Sequence, residues 1–168
     1  KLATQQTKAE VYGDNVVDFE AARDAAVEGA DELIVAAKAK WDAKKKLLPK
    51  YEATELQARL NYDRQKKLFE QGVRAEKEIE KLLKDWEVAK AELESIHLDI
   101  QAAEQEYKAK QQERIQKERE AQTKVDYARA MRQDALGAGA TIQKEIRDLE
   151  IKLSELDRLV INAPRTGT

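Results

Sequence analysis

Between Ile79 and Tyr107 the apolar residues keep a strict helical beat. Ile79, Leu82, Trp86, Ala89, Leu93, Ile96, Ile100, Ala103 and Tyr107 step by three and four, which places all nine on one seam of a single helix. A second seam runs through Val125, Ala128, Arg132, Ala135, Gly139, Ile142, Ile146, Leu149, Leu153, Leu156 and Val160. The two seams are out of phase by four residues, the signature of a stutter that locally unwinds a supercoil. Lys108 to Lys124 between them is nearly all polar, but it holds neither Gly nor Pro. Helix propensity and pairs one turn apart can carry the helix through it. The spacing therefore predicts one helix from Ala75 to about Ile161, roughly 130 Å long at 1.5 Å per residue.

Composition supports long helices rather than a thick core. Of 168 residues, 38% are charged and 5% aromatic, with two prolines and no cysteine. Such a balance with a sustained apolar period signals coiled coil or long helix. Lys plus Arg is 31 and Asp plus Glu is 33, a net charge of -2 that offers no electrostatic footprint for nucleic acid. The absence of cysteine fits either an oxidising compartment or a mechanical rod. No apolar run approaches the ~18 residues of a membrane span, and no signal peptide stands at the start.

The arm before Gly72 has a weaker pattern. Ala22, Ala26, Gly29, Leu33, Ala36, Ala43 and Leu47 suggest an alanine-rich face suited to close helix approach. Proline costs about 3 kcal/mol inside a helix, so Pro49 is expected to split this arm into two helices. Gly13-Asp14-Asn15 is a turn signal, leaving residues 1–12 as a separate turn or a frayed end. Position 13 lies 59 residues before Gly72 and Gly137 lies 65 after it. A matched weak zone on the two arms, or simply close packing at the glycines, accounts for that placement.

Two long helical stretches around a glycine read as an antiparallel hairpin, because folding back buries two stripes that each arm alone would expose. The expected fold is all-α: a long antiparallel coiled-coil hairpin, its first arm (1–70) split near Pro49, a tip turn at 71–75, and one long second arm (76–161). Gly72 supplies the permissive backbone at the reversal, and Glu76 and Glu78 suit the first turn of the returning helix. Leu68 and Phe69 stand beside Arg64, Lys66 and Lys67, and two roles are open to them. They either cap the hairpin core or form an apolar docking spot rimmed by cations.

The stretch "RQKKLFEQGVRAEKEIE", Arg64 to Glu80, resembles the hairpin tip of periplasmic membrane fusion proteins, the haemolysin-secretion D-like adaptor family. Arg64, Leu68 and Gly72 match the family's tip pattern. Ala75 stands where the family commonly has Ser, and Arg74 where an apolar residue is usual. The ending "VINAPRTGT" is similar to the Ala-Pro-x-x-Gly entry into the second half of the family's lipoyl-like domain, with Ala163, Pro164 and Gly167 in place. Residues 162–168 would then begin a truncated lipoyl-like half-domain. A split first arm opposite a continuous second one resembles the type I secretion members.

The resemblance implies a non-catalytic adaptor, anchored to the inner membrane, whose hairpin projects through the periplasm from an inner-membrane transporter toward an outer-membrane duct protein in efflux or type I-like secretion. It implies self-assembly into a ring in the full-length protein, with the hairpin alone a monomer. The lipoyl-like domain of the family carries no lipoate, so no cofactor is implied. The membrane anchor and both lipoyl-like halves fall outside this sequence apart from the entry motif, as expected of an excised hairpin. The partner-binding tip would comprise Arg64, Leu68, Phe69, Gly72 and Ala75. A serine at 75 could cap the returning helix and contact the duct; alanine does neither, and some adaptors of the family work without a duct.

Other chemistry has little footing. His97 is the sole histidine and lacks a second ligand at helical spacing. Glu118 and Glu120 face different sides of a helix and read as solvated charges. Gly137-Ala138-Gly139 lacks the strand that a phosphate loop requires. Trp41 and Trp86 read as seam or flanking residues. Catalytic and metal sites are therefore not expected. The alternative class is a generic coiled-coil scaffold or tether without an export role.

Overall fold

The computed structural model describes residues 1–72 and 75–161. Two helices account for nearly all of them: α1, Leu2–Glu70, and α2, Glu76–Ile161. They pack antiparallel, and the chain falls into two compact units, residues 27–116 and residues 1–26 with 117–168.

In the 27–116 unit the predicted α2 seam is the packed one. Ala89, Ile96 and Ala103 are buried, and Ile79, Leu82, Trp86, Leu93, Ile100 and Tyr107 are half-buried. Their partners on α1 are Ala30 and Ala37, buried, with half-buried Ile34, Trp41, Leu48, Tyr51, Ala58 and Tyr62. Alanines at the buried positions let the backbones approach, and aromatics fill the gaps between. Trp41 stacks on Tyr107 and Tyr62 on Trp86. The Trp86 indole N–H donates to Glu55 at 2.7 Å. Ion pairs cross the helices at Lys40–Glu106 and Lys44–Asp99, both 2.6 Å, and at Arg114–Asp31, 2.8 Å. Each is partly solvated and contributes about 0–1 kcal/mol, less in salt. They set register more than stability.

In the second unit Val125 is fully buried, with Ala128 and Ala135 on α2 and Ala9 and Val16 on α1. Arg23 donates to Gln122 at 2.9 Å, and Arg129 pairs with Glu20. The hydrogen bond from Arg23 to Asp24 raises the pKa of the guanidinium above its ordinary value, against the opposing effect of desolvation. A Cβ placed on Gly13 would sit 3.5 Å from the Arg132 Nε, and one on Gly139 would sit 3.9 Å from the Gln5 Cβ. The glycines thus face different partners rather than each other, and neither helix breaks at them.

Four expectations are corrected. The first arm is not split: α1 runs through Pro49. Proline withdraws the helical donor for the Lys45 carbonyl, but Pro49 lies on the exposed face, where water can satisfy that carbonyl. Half-buried Lys44, Leu48 and Tyr51 keep the chain on α2 on either side of it. Gly13-Asp14-Asn15 is helical, and so are residues 2–12, because Ala9 and Val16, one heptad apart, dock on α2.

The third correction concerns the face of α1. Ala22, Gly29, Leu33, Ala36, Ala43 and Leu47 are exposed, and only Ala26 of that file is half-buried. The packed face lies one position further on and includes Glu20, Arg23, Lys44, Glu55 and Gln65, all half-buried. Long polar side chains lay their stems on the seam and carry their heads to its edges.

Fourth, the later α2 seam is packed only as far as half-buried Ile142. Ile146, Leu149, Leu153 and Leu156 are exposed, as is Arg132. The α1 residue opposite Gly139 is Leu2, in the first turn of that helix.

The polar stretch Lys108–Lys124 is continuous helix, as expected. Lys108–Glu104 and Lys110–Glu113 pair one turn apart, and Gln111 donates to the Tyr107 hydroxyl at 2.9 Å. Glu118 is half-buried rather than fully solvated.

Candidate docking tip

The reversal is built by the last turn of α1. Gln71 N–H donates to the Lys67 carbonyl and Gly72 N–H to that of Phe69, at 2.8 Å for the glycine. Gly72 has φ +76°, the left-handed conformation that closes a helix through a glycine C-cap. The expected turn is therefore where the glycine stands, and the left-handed backbone there favours glycine over residues with a Cβ.

Of the five expected tip residues, Arg64, Gly72 and Ala75 are exposed, Leu68 is half-buried, and Phe69 is 39% exposed. Arg64 and Leu68 are one turn apart and share a face. Leu68 closes the end of the packed seam with part of its side chain and offers the rest outward. Phe69 is the more available of the two. Exposed Lys66 and Lys67 give this end of α1 its positive rim, and the Lys66 Nζ lies 5.9 Å from the centre of the Tyr62 ring. Among the described residues the Gln65 Oε1 is buried without a hydrogen-bond partner, one turn before Phe69.

Ala75 occupies the helix-capping position of α2: its carbonyl accepts from Glu78 N–H at 3.1 Å, and its side chain has no atom with which to cap the first amides. Glu76 and Glu78 in the first turn favour the helix dipole instead. Arg74 and the lipoyl-like entry, Ala163, Pro164 and Gly167, lie outside the described residues.

His97 is exposed, and among the described residues no cluster of three or more His, Asp or Glu could hold a metal ion. No described helix is long and apolar enough to cross a membrane. Both tryptophans are half-buried in the seam and stacked on tyrosines, as seam residues should be. The uncovered stripe from Ile146 to Leu156 was hidden in the sequence, because it continues a packed seam without interruption. Comparison with protein-family models, with curated proteins and with solved structures finds no match for this chain.

Proposed function

We propose that this chain is the hairpin of a non-catalytic periplasmic adaptor of the membrane fusion type, working between an inner-membrane transporter and an outer-membrane duct. The observation that carries the reading is the exposed Phe69 beside Leu68 and Arg64 at a glycine-capped reversal between helices of 69 and 86 residues. The resemblance of Arg64–Glu80 and of Ala163, Pro164 and Gly167 to the family's motifs supports it. In this reading Leu68 and Phe69 give apolar contact to the duct or to a neighbouring adaptor, and Arg64 gives a charge-assisted hydrogen bond. The full-length protein is inner-membrane anchored and assembles as a ring.

Export by the full-length protein tests this. Leu68→Arg should abolish export while leaving helicity unchanged, and Glu92→Ala, at an exposed site on α2, should be silent. Normal export with Leu68→Arg, in a strain that depends on this protein, would reject tip docking. A coiled-coil scaffold or tether is the second reading. The packed heptad seam of α2 from Ile79 to Tyr107 is the observation that favours it, since such a seam serves a scaffold as well as an adaptor.

A further inference from the structure

Between α1 and α2, within the unit of residues 1–26 and 117–168, lies a groove of about 640 Å³ whose lining is almost wholly apolar. That volume is in the range that holds a small organic molecule. Tyr12, Asn15 and Phe19, at steps of three and four, line it from α1. Lys124, exposed Tyr127 and buried Ala128 line it from α2.

In the 27–116 unit, aromatic side chains fill the gaps between the helices as stacked pairs. Here Tyr12, Phe19 and Tyr127 stack on no other ring among the described residues, and Tyr127 is 59% exposed. The Tyr12 and Tyr127 hydroxyls and the Asn15 amide make no side-chain hydrogen bond among the described residues. Lys124 is the only charged residue of the lining, and among the described residues it forms no ion pair.

We propose that this groove binds a small aromatic anion, a flat body of two or three rings bearing one carboxylate or sulfonate. The ring system lies against Phe19 and Tyr127, and the Lys124 ammonium pairs with the anionic end. The Tyr12 hydroxyl and the Asn15 amide donate to oxygen substituents. Ring surface favours a flat aromatic body, and a lysine without a counter-ion favours an anion over a cation. The size of the apolar wall favours a small molecule over a docked helix. From Tyr12 to Phe19 it advances seven residues, about 10 Å along α1. Past Phe19 the wall turns charged, with Arg23, Lys117 and Glu120. This inference does not depend on the adaptor reading.

The dye anilinonaphthalene sulfonate, titrated into the whole chain and followed by fluorescence, should bind at one saturable site. Its dissociation constant should be on the order of 10–100 μM. Tyr127→Ala should weaken binding about tenfold with unchanged helicity, since the side chain is exposed. Lys124→Gln should weaken it about threefold to fivefold and leave binding of the uncharged analogue N-phenylnaphthylamine unchanged. Amide chemical-shift changes on binding should be confined to the neighbourhood of residues 12–19 and 123–128. No saturable binding, shift changes centred instead on the exposed Ile146–Leu156 stripe, or an affinity that neither substitution alters would each overturn the proposal. Equal loss of both dyes in Lys124→Gln would overturn its preference for an anion.

Discussion

Trp41 and Tyr107 stack across the two helices with ring centroids 5.8 Å apart and planes 18° from parallel. Tyr62 and Trp86 repeat the arrangement at 5.4 Å with the residue types exchanged. The second pair lies 21 residues, three heptads, from the first along each helix, and both pairs are centred on sequence position 74. Two such clamps fix one register within the 27–116 unit, where alanine-rich layers alone would tolerate sliding. The Lys45 Nζ sits 4.6 Å from the centre of the Trp41 ring.

The clamp should be measurable as a coupling. Trp41→Ala and Tyr107→Ala should each destabilise the hairpin by about 2 kcal/mol, less than a fully buried aromatic because both are half-buried. The double variant should cost less than the two together by about 0.5–1.5 kcal/mol. Urea unfolding followed by circular dichroism reads both quantities, and strict additivity would show that the rings do not interact.

Continuity of α1 through Pro49 and Gly13 has a thermodynamic consequence. Pro49 is exposed and inside a helix, so Pro49→Ala should stabilise by about 1–3 kcal/mol. Gly13→Ala should add about 0.5–1 kcal/mol, since a Cβ there makes ordinary contact with Arg132. A true helix end at either site would give no gain, and amides on its flanks would exchange rapidly.

At the reversal the sign is opposite. A Cβ added at Gly72 would meet open space, so the cost of Gly72→Ala is backbone strain alone, about 1 kcal/mol. Gly72→Asn should recover part of it, because asparagine tolerates the left-handed region. Equal stability of Ala and Gly at 72 would contradict the positive φ.

Ala75→Ser supplies the missing cap and should stabilise α2 by about 0.5–2 kcal/mol in thermal unfolding. If, in the proposed adaptor reading, a serine at this position also touches the duct, the same variant in the full-length protein should strengthen binding to a duct protein of the common type. Stabilisation without tighter binding would assign position 75 to capping alone.

How much of this was readable in the sequence differs between the helices. The α2 seam was legible from Ile79 to Tyr107 because Ile, Leu, Trp or Tyr marks seven of its nine positions and alanine the other two. The α1 seam was concealed by Glu20, Arg23, Lys44, Glu55 and Gln65, polar residues on the packed face, while Ala22, Gly29, Leu33, Ala36, Ala43 and Leu47 formed a decoy file one step away. Local preferences at Pro49 and Gly13 pointed to breaks, and packing against α2 overrode them. Gly72 was legible because a reversal demands its conformation. The tip residues were legible as a motif, but the greater exposure of Phe69 over Leu68 depends on how the last turn meets the seam, which no spacing encodes.

Contact through the tip is the central claim, and site-specific photo-crosslinking tests it most directly. A photoreactive residue replacing Phe69 in the full-length protein, in its own cell envelope, should crosslink to an outer-membrane duct protein or to a neighbouring adaptor, while the same residue at Glu92 should give no adduct. Adducts from position 92 with none from position 69 would contradict that claim and leave the hairpin a spacer.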